Sequence, residues 1–265
     1  MIKYLKIYFQ IFVLANKMNR FYKIIPVVLL FIFSGCATYY NPVTKKVEYT
    51  FYSEKDEIDM GVAMDKKLQK ELKIVSTPAK IEEIGQKIAN ACDRPNLKYT
   101  FRVVEGEDIN AFSIPGPFVY IYTGLLKNAE DDEIACVIGH EIGHICARDG
   151  VHRLQTQLLY SIPAAVLLSN ARSEAIQKSV DTIFNLTMLK YSREEELRAD
   201  ALGVIYAYRA GYKPEGMITF FRKLQEIEKK NPKIIPAFLS SHPDIEERIK
   251  NVQATITNLN SSLQN

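Results

Sequence analysis

One stretch of the sequence constrains the fold more than any other. Between Ile134 and Ala147 the chain reads IACVIGHEIGHICA, and every residue in it is apolar or glycine except His140, Glu141 and His144. A helix that is apolar on all sides is a buried helix. A carboxylate and two imidazoles inside such a helix are costly unless each has a partner. The stretch therefore predicts a buried helix whose polar turn is satisfied by another group, and a divalent cation is the simplest such group.

The spacing of the polar residues indicates the same group. His140 and His144 are four residues apart, so their side chains project from one helix face about 6 Å apart. Imidazole nitrogens on that face can reach one zinc ion at about 2.0–2.1 Å. Glu141 lies about 100° around the helix, where its carboxylate is poorly placed to ligate but can act as a general base on a water. This is the HExxH pattern. The alternative is a pair of core histidines satisfied by protein groups.

A third ligand must come from elsewhere, because catalytic zinc sites usually have three protein ligands. The HExxHxxGxxH pattern fails, since Ala147 and Gly150 occupy its glycine and histidine positions. His152 is a weak candidate beyond the expected helix end, and is otherwise a surface histidine. The stronger candidate is Glu196, in the segment SREEELRADALG. From spacing alone, Glu196 is either a ligand or part of a solvated acidic face.

Asp200 is predicted to support the site. It lies one helical turn after Glu196 and shares its helix face. There it can accept the free N–H of a ligating imidazole and fix that ring's tautomer. The residues expected to turn this helix inward are Leu197, Ala201, Val204 and Ile205.

The N-terminus has the composition of an export signal. An apolar run from Ile24 to Phe33 follows two basic residues and precedes Ser34-Gly35-Cys36. The run is about half as long as a membrane-spanning helix, so residues 1–35 are predicted to be a signal peptide. Its end resembles a bacterial lipobox, which would make Cys36 the lipidated first residue of the mature chain. The residue after it, Ala37, resembles an outer-membrane address. An uncleaved membrane anchor is the alternative.

The charge and the cysteine content argue against a nucleic-acid-binding protein and against a disulfide-rich protein. The net charge is +3, from 34 basic and 31 acidic residues, and no basic stripe indicates a nucleic-acid partner. Four cysteines in 265 residues do not form a disulfide framework. Cys136 and Cys146 lie on the same predicted helix about 15 Å apart, too far to bridge.

The rest of the chain predicts an α+β fold that is predominantly helical with a small sheet. Residues 36–52 are expected to be a tether, 53–258 one domain and 259–265 a polar tail. The predicted boundaries are a helix start at Ser53 with Asp56, a helix from Pro78 to about Cys92, β-rich runs at 99–104 and 118–122, a cap at Asp131 or Asp132, and a helix over about 193–210.

Several motifs in order resemble one family, the zinc metallopeptidases of the HtpX and CAAX-prenyl-protease type, and more narrowly its small periplasmic lipoproteins. The resemblance covers residues 36–255 and includes FRVVEGEDINAFSIPG, DDEIACVIGHEIGH, YSREEELRADALG and SHPDIEER. It implies a zincin-like fold, one Zn²⁺ per chain and cleavage of unfolded or misassembled envelope proteins. It also implies a lipoprotein in the outer membrane facing the periplasm. A chaperone or assembly factor with a silent or gated site, and with outer-membrane assembly partners, is the rival.

The resemblance also implies roles for particular residues. Glu196 matches the third ligand and Asp200 its companion. His242 matches a catalytic histidine that can occupy the open zinc position or face the transition state, and Arg248 matches the arginine that follows. Otherwise His242 is only a histidine at a helix start. The strand that would pair with an extended substrate contains Asn110, Ala111, Phe112 and Ser113.

Two positions depart from the family pattern. Gly116-Pro117 stands where Gly-Gly is frequent, and Asp149 stands where His is common. Neither is expected to touch a ligand.

Overall fold

The computed structural model describes residues 37–161, 191–230, 238–239, 242 and 245–262. The predicted signal peptide, Cys36 and residues 263–265 of the predicted tail lie outside these ranges. Within them, no helix combines the length and the apolar character that crossing a membrane requires.

A four-stranded sheet forms the β part of the main body. Its strand order is β3-β4-β6-β5, in which β4 and β6 run parallel and the other pairs antiparallel. The order puts β5 at one edge. The strands are β3 (Ile74–Val75), β4 (Thr100–Val104), β5 (Ala111–Ile114) and β6 (Phe118–Tyr122), preceded in the chain by β1 (Ala37–Asn41) and β2 (Lys46–Thr50).

The segment predicted to be a tether is structured. Strands β1 and β2 form an antiparallel hairpin. Its buried Asn41 donates a hydrogen bond from Nδ2 to the carbonyl of Ala147 (3.1 Å). The Tyr39 ring lies 4.4 Å from the Arg148 guanidinium. The sequence hid this strand pair because aromatic and polar residues occur on both of its faces.

Helices make up most of the described chain, which confirms the predicted α+β class. They are α1 (Glu54–Glu71), α2 (Ala79–Ala91), α3 (Thr123–Asn128), α4 (Asp131–Ala147), α5 (Asp149–Ser161), α6 (Arg193–Arg209), α7 (Gly216–Lys230) and α8 (Ile245–Ser262). Helix α8 thus extends into the predicted tail.

The residue predicted to cap the helix is the observed cap at α1 but not at α4. Ser53 and Asp56 form the expected capping box at the start of α1. Helix α4 is capped by Glu130 rather than by Asp131 or Asp132, because the Glu130 N–H donates to the Glu133 carboxylate at 2.8 Å.

Helix α4 is the centre of the fold. It is buried continuously from Glu133 to Ala147, as its composition predicts. Helix α6 crosses it with the two backbones nearly in contact: a Cβ added at Gly203 would lie 2.7 Å from the backbone nitrogen of His140. This crossing directs the first two turns of α6 at the polar turn of α4.

The inward face of α6 differs from the predicted one. Of the four residues expected to pack inward, Val204 is buried and the others are half-buried. The buried face instead runs through Glu196, Ala199, Asp200, Leu202, Gly203, Val204, Tyr206 and Ala207. The two acids belong to the interior, which an apolar pattern cannot reveal.

Candidate active site

Four side chains from separate segments converge at the polar turn of α4. His140 and His144 come from α4, Glu196 from α6, and His242 from the segment before α8; one ligand atom from each lies within 4.8 Å of the others. All four are buried. The Glu196 carboxylate oxygens lie 3.7 Å from His140 Nε2 and 3.6 Å from His144 Nε2. The fold therefore brings together the three residues predicted to bind metal and adds a fourth donor.

Each imidazole of α4 is held by a buried carboxylate. Asp200 Oδ1 lies 2.8 Å from His140 Nδ1, and Asp149 Oδ2 lies 2.8 Å from His144 Nδ1. Burial raises the pKa of Asp200, but Arg248 and His140 outweigh burial and hold it below its usual range. The carboxylate is therefore ionised and accepts the Nδ1 proton of His140, leaving Nε2 with a lone pair.

The two Nε2 atoms face each other at 3.1 Å. Two lone pairs this close repel unless positive charge lies between them. The surroundings favour positive charge here: burial lowers the pKa of His144, but Asp149 and Glu196 outweigh burial and raise it to about 10. Two nitrogens bound to a tetrahedral zinc ion are about 3.3 Å apart.

Glu196 supplies the matching negative charge. Its Oε2 is buried and has no hydrogen-bond partner among the described residues. Because two histidines and a glutamate form one of the usual ligand sets of catalytic zinc, these residues fit a zinc ion.

Glu141 lies between this cluster and the edge strand β5. Ser113 Oγ donates a hydrogen bond to Glu141 Oε2 at 2.9 Å. Glu141 Oε1 is buried and has no hydrogen-bond partner in the described chain, while His242 Nε2 lies 3.7 Å away. A carboxylate with one oxygen held and the other unbound is positioned to take a proton from a third group.

Residues 76–256 match the sequence pattern of peptidase family M48. The chain belongs to this family. The membership confirms the resemblance inferred from the motifs and the zincin-like fold that it implied.

Named M48 relatives include enzymes from mitochondria and from bacteria. Mitochondrial metalloendopeptidase OMA1 of Saccharomyces cerevisiae is 26% identical over an alignment 275 residues long with its gaps included. The alignment covers 94% of this chain and 77% of the relative. Beta-barrel assembly-enhancing protease of Escherichia coli is 24% identical over 207 residues (73% of this chain, 42% of the relative). Metalloprotease LoiP of Escherichia coli is 26% identical over 157 residues (58% and 61%). The chain thus spans less than half of the assembly-enhancing protease.

His242 and Arg248, which the family resemblance predicts to be catalytic, lie at the cluster. His242 Nδ1 is 2.7 Å from Glu196 Oε1 and 3.3 Å from His140 Nε2. Arg248 donates to both Asp200 oxygens, at 2.7 and 2.6 Å, and to the His242 carbonyl at 2.9 Å. Arg248 therefore contacts the cluster through Asp200 and the His242 carbonyl, and its Nη1 also lies 3.4 Å from Glu196 Oε2.

Sequence reasoning missed two residues that touch His144. Asp149 was not expected to contact a ligand, and that expectation was wrong. Arg148 adopts a left-handed conformation (φ 58°) between α4 and α5, which turns Asp149 back towards His144. The ring of Tyr191 stacks on His144 with centroids 3.8 Å apart. No pattern in the sequence marks either contact, since both depend on how separate segments meet.

The rejected candidate lies elsewhere. His152 Nε2 pairs with Glu48 Oε2 at 2.9 Å on the hairpin side of the molecule, and its side chain is partly exposed. It does not belong to the cluster around His140.

The predicted substrate strand borders the site. Among the described residues, β5 pairs only with β6, so its other edge is open. Ala111 and Ser113 of this strand are buried. The ring of Phe112, which lies between them in sequence, stacks on the ring of Tyr120 with centroids 4.7 Å apart. Asn110 Oδ1 is buried and has no hydrogen-bond partner within the described ranges.

Proposed function

We propose that this protein is a zinc-dependent endopeptidase that hydrolyses peptide bonds in unfolded or misassembled proteins of the bacterial cell envelope. The observation that carries the peptidase assignment is the position of Glu141. Its unbound oxygen lies 3.7 Å from Nε2 of His242, which belongs to the same cluster as His140, His144 and Glu196, and its other oxygen is held by Ser113 from the edge strand.

The residues of the site are proposed to have three roles: metal binding, general-base catalysis and orientation of the imidazoles. A zinc ion held by His140, His144 and Glu196 would acidify a water and polarise the substrate carbonyl. Glu141 accepts the proton of the attacking water and then delivers it to the leaving amine. Asp200 and Asp149 hold the two imidazoles in the ligating tautomer.

Substrate binding is proposed along β5. An extended peptide can add to the open edge as a further strand, with main-chain hydrogen bonds that do not depend on its sequence. The unpaired Oδ1 of Asn110 supports this, because it can accept an N–H from such a peptide. The contact of Ser113 with Glu141 ties the same strand to the general base.

His242 is proposed to close the site until a substrate arrives. As a fourth donor within reach of the other three, it can fill the position that a catalytic zinc leaves to water. Once displaced, its ring would lie near the developing oxyanion. Arg248 is proposed to act through Asp200 and the His242 carbonyl.

The location is proposed from the N-terminus and the relatives. A lipid on Cys36 would attach the protein to the outer membrane facing the periplasm, and bacterial relatives include a beta-barrel assembly-enhancing protease. The closed donor set favours a second candidate, an assembly factor or chaperone whose peptidase site is gated.

Two substitutions test the enzyme. Glu141→Gln should keep one zinc per chain and lower casein cleavage by about 10²–10⁴-fold, because only the base is removed. Glu196→Ala should lose zinc and activity together. Zinc is measured by plasma mass spectrometry and cleavage by gel.

Glu194→Ala is the matched control, since Glu194 is exposed on the same helix; it should change neither quantity. Full cleavage by the purified Gln variant would contradict the role of Glu141. If the wild type holds zinc but cleaves neither casein nor itself, with or without a chelator, the chaperone candidate is favoured.

A further inference from the structure

We propose that the outer face of the β1–β2 hairpin is a membrane-contact surface that rests on an anionic lipid bilayer. We call this surface the hairpin face, and it consists of Thr38, Tyr40, Val47 and Tyr49 with Lys45 at its turn. The proposal concerns how the domain is oriented and goes beyond the proposed peptidase activity.

The hairpin face carries three of the four large hydrophobic side chains that are exposed in the described chain. Tyr40, Val47 and Tyr49 are 57%, 62% and 73% exposed, and Val62 at 38% is the other large apolar side chain exposed among the described residues. Tyr40 pairs across the hairpin with Val47, and Thr38 pairs with Tyr49, so these side chains share one face. Tyrosine is enriched where membrane and water meet, because its ring is apolar and its hydroxyl is polar.

The charges of the hairpin suit an anionic surface. Lys45 is exposed at the turn, next to the hairpin face. Lys46 pairs with Asn41, so its side chain lies on the opposite face together with Glu48. Glu48, the acid of the hairpin, is half-buried there and accepts hydrogen bonds from Asn41 and Thr44. Basic residues next to a membrane anchor are attracted to anionic headgroups.

The position of the hairpin in the chain brings it to a membrane. Strand β1 begins directly after Cys36, and Tyr40 follows Cys36 by four residues, an extended length of about 13 Å. A lipid on Cys36 would hold the hairpin face within that distance of the bilayer. The alternative, a retained apolar run from Ile24 to Phe33, would do the same. The proposal therefore holds for either form of the N-terminus.

The hairpin is also fastened to the helices that carry the site. Asn41 bonds to the last residue of α4. At the other end of the hairpin, Gln155 Oε1 of α5 accepts hydrogen bonds from Thr50 Oγ1 (2.6 Å) and from the Phe51 N–H (2.7 Å). A bilayer under the hairpin face would therefore fix the orientation of α4 and its histidines relative to the membrane, rather than only tether the domain.

Tryptophan fluorescence tests the contact, because the chain contains no tryptophan. The full chain, isolated with its natural N-terminus, is reconstituted in phosphatidylethanolamine vesicles with phosphatidylglycerol as the anionic lipid. In Tyr49→Trp and Tyr40→Trp, the emission should shift to shorter wavelength and be quenched by brominated acyl chains. Val62→Trp is the control at an exposed apolar position outside the hairpin, and its quenching should be several times smaller.

Four results would overturn the proposal. The first is emission from both hairpin variants that stays unshifted and unquenched on vesicles that carry the protein. The second is equal quenching of all three variants, because the domain would then have no preferred contact. The third is a shift that occurs without vesicles and grows with protein concentration, which would assign the face to a second copy of the chain. Replacing phosphatidylglycerol by phosphatidylcholine should weaken the quenching, and the fourth result is equal quenching on both lipids, which would exclude the anionic surface and the role of Lys45.

Discussion

Single residues show how far the site can be predicted from sequence. His140, Glu141 and His144 can be predicted as a metal site from their spacing in an otherwise apolar helix, because a shared cation is the simplest partner for them there. Glu196 remains ambiguous until a family pattern is added, since acidic side chains on a helix usually face solvent. Asp149 cannot be found at all, because its contact with His144 depends on one left-handed residue, Arg148.

Asp149 gives the prediction at this scale. Asp149→Ala should weaken zinc binding by about 10–100-fold, because the His144 Nδ1 proton and Arg198 both lose their acceptor. Asp149→Asn should have a smaller effect, since its amide oxygen can still accept the imidazole proton. Competition with a chelating dye measures both affinities.

The control is Asp131→Ala, at a half-exposed acid in the first turn of α4, the helix that carries His144. Its zinc affinity should equal that of the wild type. An Asp149→Ala variant with wild-type affinity would show that His144 does not need this acceptor.

Whole elements were predicted unevenly. The bounds predicted for α2, α6, β4 and β6 agree with the structure to within one residue, whereas no bounds were predicted for α3, α5, α7 or α8. Strand β3 has only two residues, and the apolar side chains on the hairpin face of β1 and β2 are exposed rather than buried, so local patterns did not reveal these strands. The crossing of α4 and α6 was not predicted either, because a glycine in a helix does not indicate which neighbouring element packs against it.

That crossing is tested by Gly203→Ala. The added Cβ would lie 2.7 Å from His140 N and 2.8 Å from Cys136 O, so the two helices must separate. Overpacking of this kind costs about 1–3 kcal/mol, and the shift should also draw Glu196 away from the histidines. Thermal unfolding and zinc content measure the two effects. Ala201→Ser, half-buried on the same helix, should leave both unchanged. Normal zinc content in the Gly203→Ala variant would contradict the role of the crossing.

A second element-scale prediction concerns Asp65, which fastens α1 to the sheet. It accepts hydrogen bonds from Arg102 Nη2 (2.7 Å) on β4 and from the Tyr120 hydroxyl (2.6 Å) on β6. Burial raises the pKa of Asp65, but these partners outweigh burial and lower it from its ordinary 3.8. The stabilisation is therefore present above pH 3.8 and is lost as the pH falls through the lower folded pKa.

Asp65→Asn should lower the free energy of unfolding by about 2 kcal/mol at neutral pH. The difference from the wild type should shrink in acid, where the wild-type carboxyl also becomes protonated. Urea unfolding at neutral and acidic pH measures this. Asp59→Asn is the control, because the exposed pair of Asp59 with Lys55 contributes little. A difference that stays constant with pH would exclude an ionic contribution from Asp65.

At the scale of the whole molecule, the donor set joins segments that are far apart in sequence. His140 and His242 are separated by 102 residues. His140 on α4 is hydrogen-bonded to Asp200 on α6, and Arg248 on α8 donates to the same carboxylate. A ligand that binds only the folded state stabilises it in proportion to its affinity and concentration, by about 4 kcal/mol at a thousandfold excess over Kd. Zinc should therefore stabilise the entire domain and not only the site.

Chelation should accordingly lower the melting temperature of the wild type by about 10 °C, given about 2–4 °C per kcal/mol for a domain of this size. Differential scanning calorimetry with and without excess chelator measures the change. Glu196→Ala should melt at the same temperature under both conditions. A wild type unaffected by chelation, yet shown to contain zinc beforehand, would contradict the proposed coupling.

The order of the supporting residues along the chain has a consequence for biosynthesis. Asp200 depends on Arg248, and Arg248 lies on α8, the last helix in the described chain. A polypeptide that crosses a membrane with its N-terminus first delivers the HExxH helix long before it delivers α8. If the chain is exported as proposed, Asp200 would therefore lack the support of Arg248 until α8 has docked, and the site would be assembled last.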